Sequence, residues 1–327
     1  TSGRRWSIGR SLASMRSGQY WPALQRTVDE ARRRCVQLGN DVGPLETENP
    51  LVSVLVPVFD AAEHLHECLD SVVHQTYRNI EILAIDDGSR DGSLAILRQF
   101  AAQDRRLRVL VNKRNCGVGD SVNQLWREAQ GVYVVRVDAD DICTPDRIER
   151  QAAFLRAQPD TVIVGGQVEI IDPDGRTIGI KRFPLAHDEL RDMLFTAMPI
   201  QQAASMINRT LLPPSEVLYV HAERTAEEVD LYFRLLRYGK FANLDEVTYK
   251  YRMLDRSLSH QDAKATFWRT VAARRRAIRV HHYRPTPQAW MVHFLQIAAV
   301  SVLPRSLVMP VYDVLRPLAL RLIGGAR

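Results

Sequence analysis

Hydrophobic positions change their spacing repeatedly along the chain from residue 51 onward. Short apolar runs, of the kind that form buried strands, occupy residues 51–56, 80–85, 107–111 and 132–137. Between them, apolar residues recur three or four positions apart, which predicts helices over residues 61–74, 93–103 and 118–130. The resulting order β-α-β-α-β-α-β predicts an α/β fold with a mostly parallel central sheet and flanking helices.

The pattern becomes less regular after Pro145. It predicts a helix to about residue 157, strands at residues 162–165, 168–171 and 203–207, a helix over residues 227–238 ended by Gly239, and a strand at residues 247–251. The sequence Asp172-Pro173-Asp174-Gly175 is typical of a turn between two strands. We therefore expect a hairpin or a mixed sheet to follow the parallel part.

The end of the chain, from residue 262, predicts a basic helix and two apolar segments at residues 288–303 and 305–323. The first segment is shorter than the roughly 20 residues that span a bilayer, and the second is interrupted by Asp313, Arg316 and Pro317. No transmembrane helix is therefore expected. Two interpretations stay open, namely amphipathic helices lying on a membrane surface and a helical hairpin packed on the protein.

These patterns divide the chain into three parts. Residues 1–48 form a polar, arginine-rich extension without the apolar core of a secretion signal. Residues 49–258 form the α/β domain, and residues 259–327 form a basic and amphipathic helical tail.

Composition and charge narrow the class of protein. With 46% hydrophobic and 25% charged residues, the chain has the composition of an ordinary globular protein. Its four cysteines show no C-x-x-C spacing, which argues against a zinc site or a disulfide scaffold and favours the cytoplasm. The net charge of +6 favours anionic partners such as nucleotide diphosphates or anionic lipid headgroups. Because no nucleic-acid-binding motif is present, we expect no nucleic acid partner.

Acidic residues follow three of the four predicted strands, at Asp60, at Asp86-Asp87 and at Asp138 to Asp141. Asp138 and Asp140 lie in the sequence Asp138-Ala139-Asp140-Asp141, and in an extended segment alternate side chains share a face, as a divalent cation requires. A solvated turn that caps the next helix is the alternative. Asp86 and Asp87 end another strand, where carboxylates can accept hydrogen bonds from a nucleobase or ribose. We expect both acidic groups to meet at one edge of the sheet.

A third acidic group, Glu227-Glu228-Val229-Asp230, begins a predicted helix. Acids in a first helical turn interact favourably with the helix dipole, so a structural role is open. The functional alternative is a general base that removes the proton of an attacking hydroxyl group.

Taken in order, these motifs resemble family 2 glycosyltransferases of the GT-A fold, of the bacterial cell-surface or exopolysaccharide type. The resemblance covers roughly residues 51–255 and is carried by four motifs: Val52 to Asp60, Ser71 to Tyr77, Asp86 to Gly92, and Val137 to Asp141. It continues through Ala226 to Leu235 and Tyr251-Arg252.

The resemblance implies an inverting, metal-dependent transfer of a sugar from a nucleotide-diphosphate donor, UDP- or dTDP-linked, to a saccharide or lipid-linked acceptor. It implies Mn²⁺ or Mg²⁺ on Asp138 and Asp140. The residues implied to bind the nucleotide sugar are Pro57, Val58, Asp60, Asp86, Asp87, Asp138 and Ala139, with Arg114 as a weaker candidate for a diphosphate contact.

One position departs from the family pattern. Glu228 stands where the family usually carries the aspartate that acts as base, and it is one methylene longer. Glu228 is therefore the candidate base, with Asp230 and Glu227 as alternatives. A non-catalytic protein that binds nucleotide sugars or serves as a scaffold is the competing hypothesis. For the enzyme, the basic and apolar tail indicates a peripheral position on the inner face of the plasma membrane.

Overall fold

A computed structural model describes residues 49–220, 226–254 and 263–304, and the predictions for residues 1–48 and 305–323 lie outside this range. The strands are β1 (Val52–Val58), β2 (Ile80–Asp86), β3 (Leu107–Val111), β4 (Tyr133–Arg136), β5 (Ile142–Cys143), β6 (Thr161–Ile171), β7 (Thr177–Lys181), β8 (Met206–Asn208) and β9 (Lys240–Arg252). The α-helices are α1 (Ala62–Val73), α2 (Ser93–Gln103), α3 (Val118–Glu128), α4 (Arg147–Ala157), α5 (His187–Met193), α6 (Glu227–Leu235), α7 (Ala263–Val280) and α8 (Pro287–Val302).

These strands form one sheet in the order β3-β2-β1-β4-β8-β6-β9-β5, with β7 paired to β6. Strands β1 to β4 are parallel to one another where they pair, as the sequence predicts. Beyond β4 the sheet is mixed, because β8 runs antiparallel to both β4 and β6, while β9 is parallel to β6. The α/β fold and the parallel half of the sheet are therefore confirmed.

The sheet is covered on both faces, which gives three layers. Val52, Val54 and Val56 of β1 belong to one buried cluster together with Leu65 of α1. Leu55 points to the opposite cluster with Val122 and Leu125 of α3. This alternation is what the period of two in a strand produces, and burial of both faces explains why β1 is almost continuously apolar.

Several predicted elements differ from the structure. The strands expected at residues 162–165 and 168–171 are one strand, β6, and the strand expected at 203–207 begins only at Met206, after a 3₁₀ helix at Gln202–Ala204. The helix at 227 ends at Leu235, because Arg237 and Tyr238 donate to the carbonyl groups three residues back. Gly239 therefore does not cap it.

The turn at Asp172–Gly175 is confirmed, since the Gly175 N–H donates to the Asp172 carbonyl at 3.0 Å between β6 and β7. Strands β5 and β7 and helix α5 are absent from the sequence prediction. In the tail, α7 and α8 match the basic helix and the first apolar segment. None of the described helices is long and apolar enough to cross a membrane.

Candidate active site

The carboxyl ends of β1, β2 and β4 lie at the same edge of the sheet. In β1, Val58 pairs with Asp86 of β2, and Leu55 pairs with Arg136 of β4. The loops that follow these strands therefore meet at this edge, where ligands bind in open α/β sheets.

Asp87 holds the loop that follows β3. Its carboxylate accepts hydrogen bonds from the Asn112 side chain at 2.7 Å, from the Cys116 N–H at 3.0 Å and from the Gly117 N–H at 2.9 Å. With only 3% of its surface exposed, this carboxylate is committed to protein donors. Asp87 therefore builds the wall of the site, although the resemblance implies nucleotide binding.

Asp86 is buried beside it but is differently engaged. One carboxylate oxygen, Oδ2, accepts from the Ser89 N–H at 3.3 Å. The other oxygen, Oδ1, is buried without a hydrogen-bond partner in the described part of the chain. A buried carboxylate oxygen without a donor is costly, so this atom is suited to a donor group from a ligand.

Asp60 and Pro57 border the same region, whereas Val58 does not present its side chain there. Asp60 is exposed, adopts a left-handed backbone with φ 47°, and accepts from the Arg90 N–H at 2.7 Å. Val58 is 1% exposed, and its carbonyl accepts from the Asp87 N–H at 2.8 Å. Val58 thus positions β2 relative to β1, so the structure gives no support for its predicted nucleotide contact.

Gly88 allows two loops to approach closely. Its φ is 75°, and a Cβ atom at this position would lie 2.8 Å from the backbone carbon of Arg114. A side chain is therefore excluded both by backbone conformation and by contact. The Arg114 side chain is exposed on this loop, at the rim formed by Asp87 and Gly88.

Asp138 to Asp141 form a turn, so the expectation of an extended segment is wrong. Strand β4 ends at Arg136, and the Asp141 N–H donates to the Asp138 carbonyl at 3.1 Å. Asp138 and Asp140 are half-buried, Ala139 is 8% exposed and Asp141 is 1% exposed. The four residues are thus gathered by a tight loop instead of by strand alternation.

Asp141 is the most deeply buried acid of this turn. Burial raises the pKa of its carboxyl well above the ordinary value, and the charges of Asp138 and Asp140 raise it further. Its Oδ1 accepts from the Arg252 N–H at 2.7 Å, but its buried Oδ2 has no hydrogen-bond partner in the described residues. Three acids in this arrangement favour a compensating cation.

The donor set fits a divalent metal that also uses ligands from a substrate. The described residues contain no group of three or more His, Cys, Asp or Glu side chains arranged to hold a metal ion by themselves. Asp138 and Asp140 supply carboxylate oxygens, and Mg²⁺ commonly takes one or two carboxylates together with substrate phosphates and water. The turn therefore fits Mg²⁺ or Mn²⁺ in the presence of a diphosphate.

Arg136 adds a positive charge to this turn that the sequence analysis missed. Its guanidinium pairs with Asp138 Oδ1 and donates to Gln202 Oε1 and the Tyr219 hydroxyl, each at 2.9 Å from Nη1. Burial opposes its charge, but Asp138, Tyr219 and Glu227 together hold the pKa of Arg136 above its ordinary value. An arginine inside an otherwise apolar strand was the signal that could have found it.

Glu228 lies in the same electrostatic environment. The pKa of its carboxyl is raised to about 7. Burial is the main cause, and the negative charges of Glu227 and Asp138 raise the pKa further. A backbone hydrogen bond and the positive charge of Arg136 act in the opposite direction. Glu227 and Glu228 begin α6, which Ala226 enters in a left-handed conformation with φ 65°. Non-glycine residues in this conformation are strained and concentrate at functional sites.

Asp230, on the same helix, has other partners. Its carboxylate accepts from Arg276 at 2.9 Å and from Arg234 at 3.2 Å, and it is 8% exposed. Two guanidinium groups thus satisfy it at the contact of α6 with α7. These contacts favour a structural role for Asp230.

Arg252 fixes the acidic turn from behind, a role that the sequence motif Tyr251-Arg252 did not reveal. Its Nε donates to the Asp140 carbonyl at 2.9 Å, its Nη1 to the Pro173 carbonyl at 2.8 Å, and its Nη2 to Glu67 at 2.5 Å. Because these bonds join the turn to the β6–β7 hairpin, Arg252 positions the acids without facing a ligand.

Comparison with known proteins agrees with this geometry. The model of the family "Glycosyl transferase family 2" matches residues 53–212. A Bacillus subtilis protein with the name "Putative glycosyltransferase EpsE" is 32% identical over 208 residues that make up 62% of this chain and 73% of EpsE. A Haemophilus influenzae protein described as an uncharacterized glycosyltransferase is 30% identical over 212 residues, 62% of this chain and 66% of that protein.

Solved structures share the fold at low sequence identity. Staphylococcus aureus TarS 1-349 in complex with UDP superposes with a TM-score of 0.59 at 18% identity, over 78% of this chain and 73% of that one. The mannosyltransferase PcManGT from Pyrobaculum calidifontis, in complex with GDP-Man and Mn²⁺, gives a TM-score of 0.53 at 17% identity, over 92% of this chain and 94% of that one. With the sheet and the acidic turn described above, these matches show that the chain belongs to glycosyltransferase family 2 and has the GT-A fold.

Proposed function

We propose that the protein transfers one sugar from a nucleoside-diphosphate sugar to a hydroxyl group of a saccharide or lipid-linked acceptor, with inversion at the anomeric carbon. The observation that carries this proposal is the placement of Glu228. Its carboxyl has a pKa of about 7 and lies within the electrostatic influence of Arg136 and Asp138. A base that titrates near neutral pH, beside a site for an anionic leaving group, is suited to a direct displacement by a hydroxyl.

The donor half of the site rests on Asp86. Its Oδ1 is a buried acceptor suited to the N3–H group of uracil or thymine, which supports a UDP- or dTDP-linked donor. Asp60 and Pro57 lie at the end of β1 beside it, where they would border the nucleoside. Structures of TarS with UDP and with UDP-GlcNAc support the same donor class.

A divalent metal, Mn²⁺ or Mg²⁺, would be held by Asp138 and Asp140. When bound, such an ion neutralises the charge that develops on a departing nucleoside diphosphate. The complex of PcManGT with GDP-Man and Mn²⁺ supports a metal of this kind. Ala139 would line the turn between the two ligands, and Arg114 would contact the diphosphate from the rim formed by Asp87 and Gly88.

Glu228 would act on the acceptor. As the acceptor oxygen attacks the anomeric carbon, the carboxylate accepts its proton, and the bond from that carbon to the diphosphate breaks on the opposite face. The pKa of about 7 leaves a large fraction of Glu228 ionised at neutral pH. The extra methylene relative to the usual aspartate is compatible with this step if the acceptor lies correspondingly farther away.

The test is a panel of nucleotide sugars incubated with and without Mn²⁺, with release of the nucleoside diphosphate as the readout. We expect one donor to be turned over only with metal, and Asp138→Asn to lose that turnover. A chain that binds a donor, by a rise in melting temperature, but turns over none would support the competing hypothesis of a non-catalytic binding or scaffold protein.

We also propose that α8 contacts the inner face of the plasma membrane, where the enzyme would serve the synthesis of a surface polysaccharide. Four of its apolar side chains are unusually exposed: Met291 at 50%, Phe294 at 60%, Leu295 at 61% and Val302 at 86%. All four share one face of the helix at this spacing, as in a helix that lies in a membrane interface.

Sedimentation with anionic vesicles tests this second proposal. Phe294→Ser with Leu295→Ser should remain in the supernatant, while the parent chain pellets. Ile178→Ser with Ile180→Ser removes two comparably exposed apolar side chains from β7 and serves as the matched control. Equal pelleting of the Phe294/Leu295 variant and the parent would contradict membrane contact through α8.

A further inference from the structure

Asn123, on α3, holds the backbone of Tyr219 through both polar atoms of its side chain. Its Nδ2 donates to the Tyr219 carbonyl at 2.7 Å, and its Oδ1 accepts from the Tyr219 N–H at 3.0 Å. Residues 212–220 form neither helix nor strand, so no ladder of backbone hydrogen bonds fixes Tyr219 there, although buried backbone groups need partners. One side chain, 96 positions away along the chain, therefore supplies both partners of Tyr219.

The residues just before Tyr219 are held from two sides. On one side, Trp126 Nε1 of α3 donates to the Glu216 carbonyl at 2.9 Å. On the other side, Arg234 of α6 donates to the Val217 carbonyl at 3.0 Å and to the next carbonyl along the chain. This segment therefore joins α3 to the helix whose first turn carries the proposed base.

The side chain of Tyr219 contacts Arg136. Its hydroxyl oxygen accepts hydrogen bonds from Arg136 Nη1 at 2.9 Å and from Gln202 Nε2, and the residue is 4% exposed. A buried tyrosine whose backbone is fixed can place its hydroxyl at few positions, because only a few rotamers remain. Arg136 in turn pairs with Asp138, and its charge acts on Glu228. The position of this guanidinium therefore depends on where Tyr219 is held.

We propose that Asn123 is a positioning residue for the glycosyl transfer: by fixing Tyr219, it keeps the guanidinium of Arg136 where its charge reaches both Asp138 and Glu228. The inference rests on the proposed function and adds to it a residue that acts on the base through two other side chains. In a largely buried site, water screens charges poorly, so their interaction depends strongly on distance. A shift of Arg136 should therefore change the behaviour of the base.

Gln167, on β6, provides a matched control because it holds a backbone in the same manner. Its Oε1 accepts from the Phe183 N–H at 2.7 Å, and its Nε2 donates to the Phe183 carbonyl at 3.3 Å. Phe183 follows β7 and lies outside the acidic turn and α6. Asn123→Leu and Gln167→Met each remove such a pair of hydrogen bonds, so both should lower the melting temperature of the full chain.

Only Asn123→Leu should change catalysis. We expect its turnover number to fall by about tenfold or more, with the KM for the donor within about twofold of the parent's value. Because Arg136 lowers the pKa of Glu228, the pH–rate profile of this variant should move to higher pH. The other charged and titratable groups that act on Glu228 are present in both variants: Glu227 and Tyr232 on α6, Asp138 and Tyr219.

Gln167→Met should keep the parent's turnover number and pH–rate profile despite its lower melting temperature. An Asn123→Leu enzyme with the parent's turnover number and profile would overturn the inference. Should Asn123→Leu fail to fold, Tyr219→Phe, which removes only the hydroxyl, must show the same shift of the profile. An unshifted profile in Tyr219→Phe would then overturn the inference.

A double-mutant cycle on stability tests the same placement without turnover. In urea denaturation, Tyr219→Phe should cost less stability in the Asn123→Leu background than in the parent, because the hydroxyl is no longer held against Arg136. In the Gln167→Met background its effect should equal that in the parent. Additive effects in both backgrounds would overturn the inference. A parent that turns over no donor would count against the proposed function, whereas this cycle would still decide whether Asn123 positions Tyr219.

Discussion

Arg136 lies with its Nη2 atom 2.8 Å from Oδ1 of Asp138, at the point where β4 ends and the acidic turn begins. The same guanidinium binds Gln202 and Tyr219, and its charge acts on Glu228. One buried cation thus links the side of the site that would hold the donor diphosphate to the carboxyl that would act as base. A substitution on either side of the site should therefore alter the measured properties of the other side.

Replacement of Arg136 tests this link. In Arg136→Met, Asp138 loses a largely buried partner, so the free energy of unfolding should fall by about 3 kcal/mol in urea denaturation. Because Arg136 lowers the pKa of Glu228, that pKa should rise above about 7 and the pH–rate profile should move to higher pH. Arg108→Met, which removes an exposed partner of Glu128, is the control. An unshifted profile in Arg136→Met would disprove the electrostatic link.

Glu228 should make stability and activity change in opposite directions with pH. Its pKa is raised on folding from 4.5 to about 7, so its contribution to stability is fully present below pH 4.5 and is lost as pH rises to about 7. Activity should increase over the same range, because the ionised carboxylate accepts the proton. Glu228→Gln removes this titrating carboxyl. The melting temperature of the variant should therefore fall less between pH 4.5 and pH 7 than that of the parent. Parallel curves for the two chains would contradict the raised pKa.

Asp86→Asn should affect the donor more than the fold. The change turns one of the two carboxylate oxygens into an N–H donor and removes the negative charge that a nucleobase N–H would meet. We expect nucleotide binding to weaken by about tenfold or more, with the melting temperature of the unliganded protein nearly unchanged. Calorimetric titration with UDP checks this, and unchanged affinity would exclude Asp86 from base binding.

Asp87→Asn, in contrast to Asp86→Asn, should affect the fold more than the binding of the donor. Its carboxylate accepts hydrogen bonds from three donors of the loop after β3. An amide in its place would point an N–H group at one or more of these N–H donors. Unfolding free energy should therefore fall by about 2 kcal/mol, and protease cleavage within residues 112–117 should become faster. An Asp87→Asn protein as stable as the parent would show that this carboxylate does not hold the loop.

The first half of the fold could be predicted because each element has a strong local pattern. Strands β1 and β2 are apolar on both faces, and α1 to α3 each bury one side, so spacing alone identifies them. Strand β6 was divided wrongly because Gly165 and Gly166 interrupt its apolar run. Those glycines are required by neighbours distant in sequence, since a Cβ on Gly165 would collide with Asn243 and one on Gly166 with Thr248.

The candidate site was only partly predictable, for a related reason. Acids that follow strands are visible in the sequence, so Asp86 and Asp138 to Asp141 could be named. Asp87 holds a loop whereas Asp86 offers an oxygen to a ligand. This difference depends on the hydrogen bonds that Asp87 accepts from a loop 25 to 30 residues away along the chain. Arg136 acquires its role from Gln202 and Tyr219, which are 66 and 83 residues away along the chain. No local pattern reports such contacts.

The most direct measurement of the central proposal is the turnover number of Glu228→Gln with the donor that the parent accepts, at saturating metal and acceptor. The proposal predicts a loss of about 10²-fold or more with donor affinity retained. Glu189→Gln, which changes an exposed glutamate on α5, should keep the parent's turnover number, and Asp230→Asn should lose stability more than turnover. A Glu228→Gln enzyme that turns over the donor at the parent's rate would contradict the assignment of Glu228 as the base.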